Sequence, residues 1–169
     1  MIELLPILDV ITPEEEQGLL AFIKDENIVK NSSVKDRFLI RYGNSVYPNH
    51  IKSKIIPPYL VDLSNKLITL GILDELPASV TINVYEPGDY INPHVDNLRA
   101  GPVITILSLL SEAEIVLTKQ HHKKQILLPT RSVLQLKDVY RTTWMHSIPK
   151  VKTRRISIVF RQEGKQIKK

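Results

Sequence analysis

The 169 residues contain no cysteine. That excludes disulfides, thiolate metal sites and cysteine nucleophiles. No run is apolar for long enough to span a bilayer. The opening "MIELLPILDVITPEEE" has neither a basic n-region nor a small-residue cleavage site, so it does not read as a secretory signal. Internal repeats, low-complexity tracts and Gly/Ser linkers are also missing. These absences fit a single domain over 1–169 with no membrane association, acting as a monomer in a cytoplasmic or nuclear setting. Hydrophobic content of 43% and charged content of 24% are those of a globular chain long enough to bury a core.

Net charge is +5 and the sequence pI about 9.4, a balance that suits a polyanionic partner. Its distribution is uneven. From Lys119 to Arg155 ten lysines and arginines stand against one acid, Asp138. Scattered lysines on a solvated surface would give the same count, so charge alone leaves the partner open.

Two segments read as helices. Thr12 can cap a helix opening with Pro13, Glu14, Glu15 and Glu16, where acids suit the positive end of the dipole. Leu19, Leu20, Phe22 and Ile23 form its apolar face, and it should end near Asp25. A second helix should start at Pro57-Pro58, run through Leu60, Leu63, Leu67 and Leu70, and stop at Gly71. Between them "DRFLIRYGNSVYPNH" reads as a strand and loop. After Pro77 short apolar runs appear at 79–86, 103–109, 113–118, 125–128, 131–137, 142–148 and 154–161, separated by breakers such as "PGD" and "KQHHKK". The expected class is α+β, mainly β. Two N-terminal helices pack on one sheet of an antiparallel double sheet, a double-stranded β-helix or jelly roll.

"PHVDN" sets an imidazole and a carboxylate two positions apart. With five histidines and eight aspartates, such a pair arises by chance in roughly one such sequence in four, so it needs company. On a strand His94 and Asp96 would share a face, one imidazole short of a two-histidine, one-carboxylate set. The candidates for the third donor are His50, His121, His122 and His146. His121 and His122 sit among lysines at an expected hairpin tip, and His50 lies in a polar loop. His146, in the mostly apolar "RTTWMHSIP", is either a satisfied core residue or a ligand.

The final strand "RRISIVFR" alternates. Ile156, Ile158 and Phe160 make a buried face; Arg155, Ser157, Val159 and Arg161 make the other. Two arginines along one strand face either point to solvent or hold a dicarboxylate at both ends. "TINVY" repeats the pattern, with Asn83 and Tyr85 able to bond the same small anion while Ile82 and Val84 fill the core.

The order NxYxPG, HxD, strand histidine, RxSxxxR resembles the AlkB family of Fe(II)- and 2-oxoglutarate-dependent dioxygenases. "TINVYEPGDYINPHVDN" matches that family's central motif, and "LPTRSVLQLKDVYRTTWMHSIP" is similar to the segment leading to its distal histidine. The likeness covers roughly residues 35 to 162. Within the family it is most similar to the oxygenase domain of the tRNA wobble-uridine-modifying homologue. The resemblance implies His94, Asp96 and His146 as iron ligands, and Asn83, Tyr85, Arg155, Ser157 and Arg161 as the lining of a 2-oxoglutarate pocket. Arg155 would take the far carboxylate and Arg161 would lie nearer the chelating end. The cofactors implied are Fe(II), 2-oxoglutarate as cosubstrate and O2, used to hydroxylate a C–H bond or to demethylate a nitrogen.

The implied substrate is a modified base in nucleic acid, RNA or tRNA more than duplex DNA. A nucleotide-recognition lid would cover about 35–57, where Tyr42 and Tyr47 either stack on an extruded base or pack in the core. Lys123 and Lys124, with Lys150, Lys152 and a basic tail at 163–169, would meet phosphates. Three features depart from the family pattern. Ser147 follows the distal histidine where glycine is common, the stretch from His146 to Arg155 is short, and Leu98 stands where base-repairing relatives carry an acid. RNA-recognition and methyltransferase domains are missing from these residues, so recognition would come from this domain or from a protein partner. Two other readings of the same residues are oxygenase chemistry on a protein side chain and a non-catalytic, cupin-like metal-binding module.

Overall fold

The computed structural model describes residues 4–26, 37–44 and 54–162, and the backbone of 29–30. Helix α1 spans Pro13–Asp25 and begins with a capping box. The Thr12 hydroxyl accepts from the Glu15 N–H at 3.2 Å, and the Glu15 carboxylate accepts from the Thr12 N–H at 2.7 Å. Helix α2 spans Pro58–Thr69 and is followed by Gly71 in the left-handed region, as its sequence predicts.

The strands are β1 (Val29–Lys30), β2 (Phe38–Gly43), β3 (Ser79–Tyr85), β4 (Ile91–His94), β5 (Ile104–Leu109), β6 (Ala113–Lys119), β7 (His122–Leu128), β8 (Val133–Leu136), β9 (Met145–Ile148) and β10 (Arg155–Arg161), with a short helix α3 (Asp138–Thr142) before β9. They form a six-stranded sheet in the order β1-β2-β3-β10-β5-β8 and a four-stranded sheet in the order β4-β9-β6-β7. From β3 onward the chain passes back and forth between the sheets, and β8, β9 and β10 each come in beside earlier strands. Every pairing between these strands is antiparallel. This is a jelly roll, a double-stranded β-helix with both helices on the outer face of the larger sheet.

Two apolar layers hold it together. Leu19 and Ile23 of α1 and Leu60, Leu63 and Leu67 of α2 pack on Ile82, Val84, Leu107, Ile156, Ile158 and Phe160. Between the sheets lie Ile106, Ile115, Leu117, Leu134, Tyr140, Trp144, Ile148 and Val159. The two faces of β10 therefore both lie inside the protein. Its isoleucines face the helices, and Arg155, Ser157 and Arg161 share the inner face with Val159.

Residues 38–43, within the expected strand and loop, form β2, hydrogen-bonded to both β1 and β3 in the large sheet. Other sequence expectations are corrected. The apolar texture of 142–148 begins in α3, and only Met145–Ile148 is strand. Arg131 and Asp138, both at positive φ, frame a shorter β8 than the run 131–137 suggests. β4 went unseen because only Ile91 is a strand-forming apolar residue and Pro93 interrupts the pattern. Tyr47, His50 and the 163–169 tail lie outside the described residues.

Gly43, which ends β2, has φ +76, and a Cβ there would collide with the Ala78 carbonyl oxygen; Gly71 has φ +69 but open space around it. Gly71→Ala should cost about 1 kcal/mol, the left-handed penalty alone. Gly43→Ala should cost more than about 3 kcal/mol, because clash adds to strain. Urea denaturation of both variants measures the difference.

Candidate metal and cosubstrate site

β4 and β9 are neighbours, and their register sets His94 directly opposite His146. Asp96 is not on the strand, which ends at His94, so the shared-face argument does not hold in detail. The chain turns at Val95 and brings the carboxylate back beside both rings. Asp96 Oδ1 lies 3.1 Å from His94 Nε2 and 3.8 Å from His146 Nε2. The rings sit 4.2 Å apart between centroids, tilted by 51°. One ligand atom from each of the three residues falls within 4.8 Å of the others, a group that can hold a single metal ion. His94 has 38% of its side chain exposed and His146 only 12%, so the group opens to solvent on the His94 side.

The donors are held from behind. His94 Nδ1 lies 2.8 Å from the Asn92 carbonyl. A carbonyl only accepts, so Nδ1 carries the proton and Nε2 faces the group. Arg161 donates through Nε and a terminal nitrogen to Asp96 Oδ2, at 3.0 and 2.9 Å, and through its other terminal nitrogen to Thr81 Oγ1 at 3.0 Å. This fork occupies Oδ2 and leaves Oδ1 toward the imidazoles. Arg141, buried in α3, donates to the carbonyls of Gly101, Asp96 and Asn97 at 3.0, 2.9 and 2.7 Å. It ties the turn bearing Asp96 to the segment that leads into His146.

Burial is the largest influence on Asp96 and would raise its pKa. The His94 hydrogen bond and the Arg161 and His146 charges outweigh it and hold the carboxyl well below the usual range. Burial, helped by the charge of His94, pushes His146 down to about 4, so it stays neutral at physiological pH. His94 is also pulled down by burial, but its bonds to Asp96 and Asn92 prevail and leave it above the ordinary value.

Deeper between the sheets lies an anion pocket without an acid. Arg155 is fully buried, and its Nε and both terminal nitrogens have no hydrogen-bond partner among the described residues. Its guanidinium carbon sits 5.0 Å from the centre of the Tyr85 ring, opposite it across the β3–β10 pair. Burial lowers its pKa, with Tyr85 opposing. Asn83 and Ser157 are the next pair on the same face, joined by a contact of 3.4 Å from Asn83 Nδ2 to Ser157 Oγ. Arg37 donates to Asn83 Oδ1 at 2.9 Å, fixing that amide's orientation. A buried cation with no counter-charge is costly, so the pocket is built for an anion. Two imidazoles and one carboxylate suit a divalent ion of the iron type. The residues present therefore fit a metal-chelating keto-diacid with one carboxylate at the ion and one at Arg155.

The substrate residues divide. Tyr42 is 2% exposed, packs in the outer core and donates its hydroxyl to Glu26 at 2.6 Å, so it has no free face for a base. Leu98 is 61% exposed in a turn just past Asp96, on the rim of the metal group. Lys123 is exposed near the β6–β7 turn. Lys124 turns inward instead, donating to the Tyr140 hydroxyl at 2.6 Å and lying over the Tyr140 and Trp144 rings. Lys150 and Lys152 lie on the β9–β10 connection, which bonds to the loop after β3 at the Arg155 end. Sequence reasoning missed Arg37, Arg141 and Thr81. Their partners are distant in sequence, and an arginine inside "VYRTTW" gives no signal of burial.

Two outcomes follow. Below its raised pKa His94 carries a second proton, on Nε2, that a metal must displace, whereas His146 is already neutral. Affinity for Mn(II) should fall as pH drops through the His94 pKa, with about one proton released per ion below it, read by calorimetry in buffers of different ionisation enthalpy. Arg141→Met should lower unfolding stability by roughly 3 kcal/mol, because two buried carbonyls and one half-buried carbonyl lose their donor. Thermal melts of the metal-free chain would register the loss.

Residues 26–161 match the sequence profile of the 2OG-Fe(II) oxygenase superfamily. An uncharacterised protein, L905, of Acanthamoeba polyphaga mimivirus is 32% identical over 179 residues, covering 95% of this chain and 84% of that protein. The tRNA (carboxymethyluridine(34)-5-O)-methyltransferase alkbh8 of Xenopus tropicalis is 31% identical over 97% of this chain, but the match spans only 27% of its length. The solved structure of OsALKBH1 superposes with a TM-score of 0.72 at 11% identity, covering 96% of this chain and all of that one. With the ligand group and the anion pocket on adjoining strands, these likenesses have one reading: the chain belongs to the 2OG-Fe(II) oxygenase superfamily and is an AlkB-type, 2-oxoglutarate- and Fe(II)-dependent dioxygenase.

Proposed function

We propose that this dioxygenase hydroxylates or oxidatively demethylates a modified base in nucleic acid, RNA or tRNA rather than duplex DNA. The observation that carries the substrate is the placement of the β6–β7 hairpin. Leu117 of β6 pairs with His146, so the turn at Gln120–His121 extends roughly 10 Å beyond the metal group at the same end of the sheet. It carries Lys119, His121, His122 and Lys123 at the end of the sheet toward which β4 runs and where exposed Val95 and Leu98 flank Asp96. Cations beside an apolar rim suit phosphates flanking an unpaired base, a sequence-tolerant mode with strong salt dependence. The Xenopus relative bears a tRNA-modifying name, which supports RNA. The corresponding setting is the cytoplasm or the nucleus, with the chain acting as a monomer or with a protein partner for recognition.

In this reading His94, Asp96 and His146 would hold the iron, and Arg161 keeps the Asp96 carboxylate ionised and turned. Arg155 and Tyr85 receive the far carboxylate of 2-oxoglutarate, while Asn83 and Ser157 line its length. Iron with 2-oxoglutarate and O2, when bound, supplies oxidative decarboxylation to succinate and CO2 coupled to oxygen insertion into a C–H bond. The protein's share is positioning and exclusion of water: the apolar layer between the sheets packs beside these groups, and among the ligand side chains His94 is the most exposed. A methyl hydroxylated on nitrogen leaves as formaldehyde; on other carbons the hydroxyl remains.

The iron- and 2-oxoglutarate-loaded chain, incubated with total small RNA and then digested, should yield a nucleoside that has gained oxygen or lost methyl by mass spectrometry. Asp96→Ala should abolish both that change and succinate formation. Failure to retain any polynucleotide at moderate salt would turn the reading toward a protein side chain.

A further inference from the structure

Among the described residues, only two side chains have buried polar atoms with no hydrogen-bond partner. One is Arg155, and the other is Ser108, 1% exposed on β5. They are neighbours. Ser108 pairs directly with Ser157 of β10, and Arg155 is two residues earlier on the same β10 face. Leu107 and Leu109 belong to the outer layer against the helices and Ile106 to the inner layer, so Ser108 points between the sheets. Diagonal neighbours on such a face stand roughly 7–8 Å apart, well within the reach of an arginine.

A hydroxyl in a dry interior keeps the cost of its lost hydration unless something accepts its proton. Ser157, which faces it across the strands, accepts from the Asn83 amide but makes no bond with Ser108. We propose that Ser108 is a cosubstrate-binding residue that donates its hydroxyl to the same carboxylate as Arg155; this rests on the assignment of Arg155 to the far end of 2-oxoglutarate. A carboxylate offers about four lone-pair sites, and a bidentate guanidinium takes two. A hydroxyl on β5 adds a second direction of approach to the one from β10. It also sets length. Arginine has a long stem and can follow a carboxylate, whereas serine has one carbon on a central strand, so the Ser108 bond forms only for a diacid of the right span.

The test is calorimetric titration of the manganese-loaded full chain with three keto acids. These are 2-oxoglutarate, the shorter diacid oxaloacetate, and 2-oxobutyrate, which has the chelating head but no far carboxylate. Ser108→Ala should weaken 2-oxoglutarate about tenfold, as expected for a hydrogen bond to a charged group, and shrink its preference over oxaloacetate. The affinity for 2-oxobutyrate should be unchanged, which also reports that the variant's metal site is folded. Equal loss for 2-oxoglutarate and 2-oxobutyrate, or a 2-oxoglutarate affinity within about twofold of the parent, overturns the Ser108 role. If the parent chain itself fails to prefer 2-oxoglutarate over 2-oxobutyrate, the Arg155 assignment falls, and the Ser108 role with it.

Discussion

A guanidinium sealed between two β-sheets with none of its donors used is the constraint around which this protein is arranged. A hydrocarbon side chain at position 155 would pack there without any such penalty. The position is tolerable because the neighbouring groups make a partial anion site: the Tyr85 ring against the guanidinium, and polar Asn83, Ser157 and Ser108 around it. Without a ligand the stability of the fold is lower than its apolar layers alone would give. Binding an anion recovers the difference.

The same strand spaces the chemistry. Arg155 and Arg161 stand at the two ends of one face of β10, roughly 20 Å apart along the backbone. Their side chains reach inward to different tasks. One guanidinium is left open, while the other is committed to a carboxylate of the metal group. Since β10 is hydrogen-bonded on both sides, to β3 and to β5, neither end can drift, and the span between the anion pocket and the ligand group is fixed by the sheet.

Much of this was legible in the sequence where a local rule and the tertiary structure agree. The Thr12–Glu15 cap, the stop at Gly71 and the alternation of β10 each depend on neighbours a few residues apart. The site residues of the motif converge because alternation fixed their faces. The chain misled where burial was decided from far away. Tyr42 looks like an exposed aromatic at a loop, yet Glu26 claims its hydroxyl and the helices cover its ring. Lys124 looks like one more surface lysine, yet its strand turns it onto Tyr140 and Trp144. Arg141 makes bonds only to main-chain carbonyls, which have no residue type to recognise. Asp96 meets the imidazoles from beyond the end of β4, where strand alternation no longer sets its face.

The pairing of β4 with β9 carries a consequence for the order of assembly. These strands are remote in the chain and meet only after β5, β6, β7 and β8 have wound between them. Contacts of such long sequence separation form late, because chain closure must precede them. A nascent or half-folded polypeptide therefore offers His94 and Asp96 without His146, a weak grip on a redox-active ion. The full set of three donors exists only where β4 and β9 have paired.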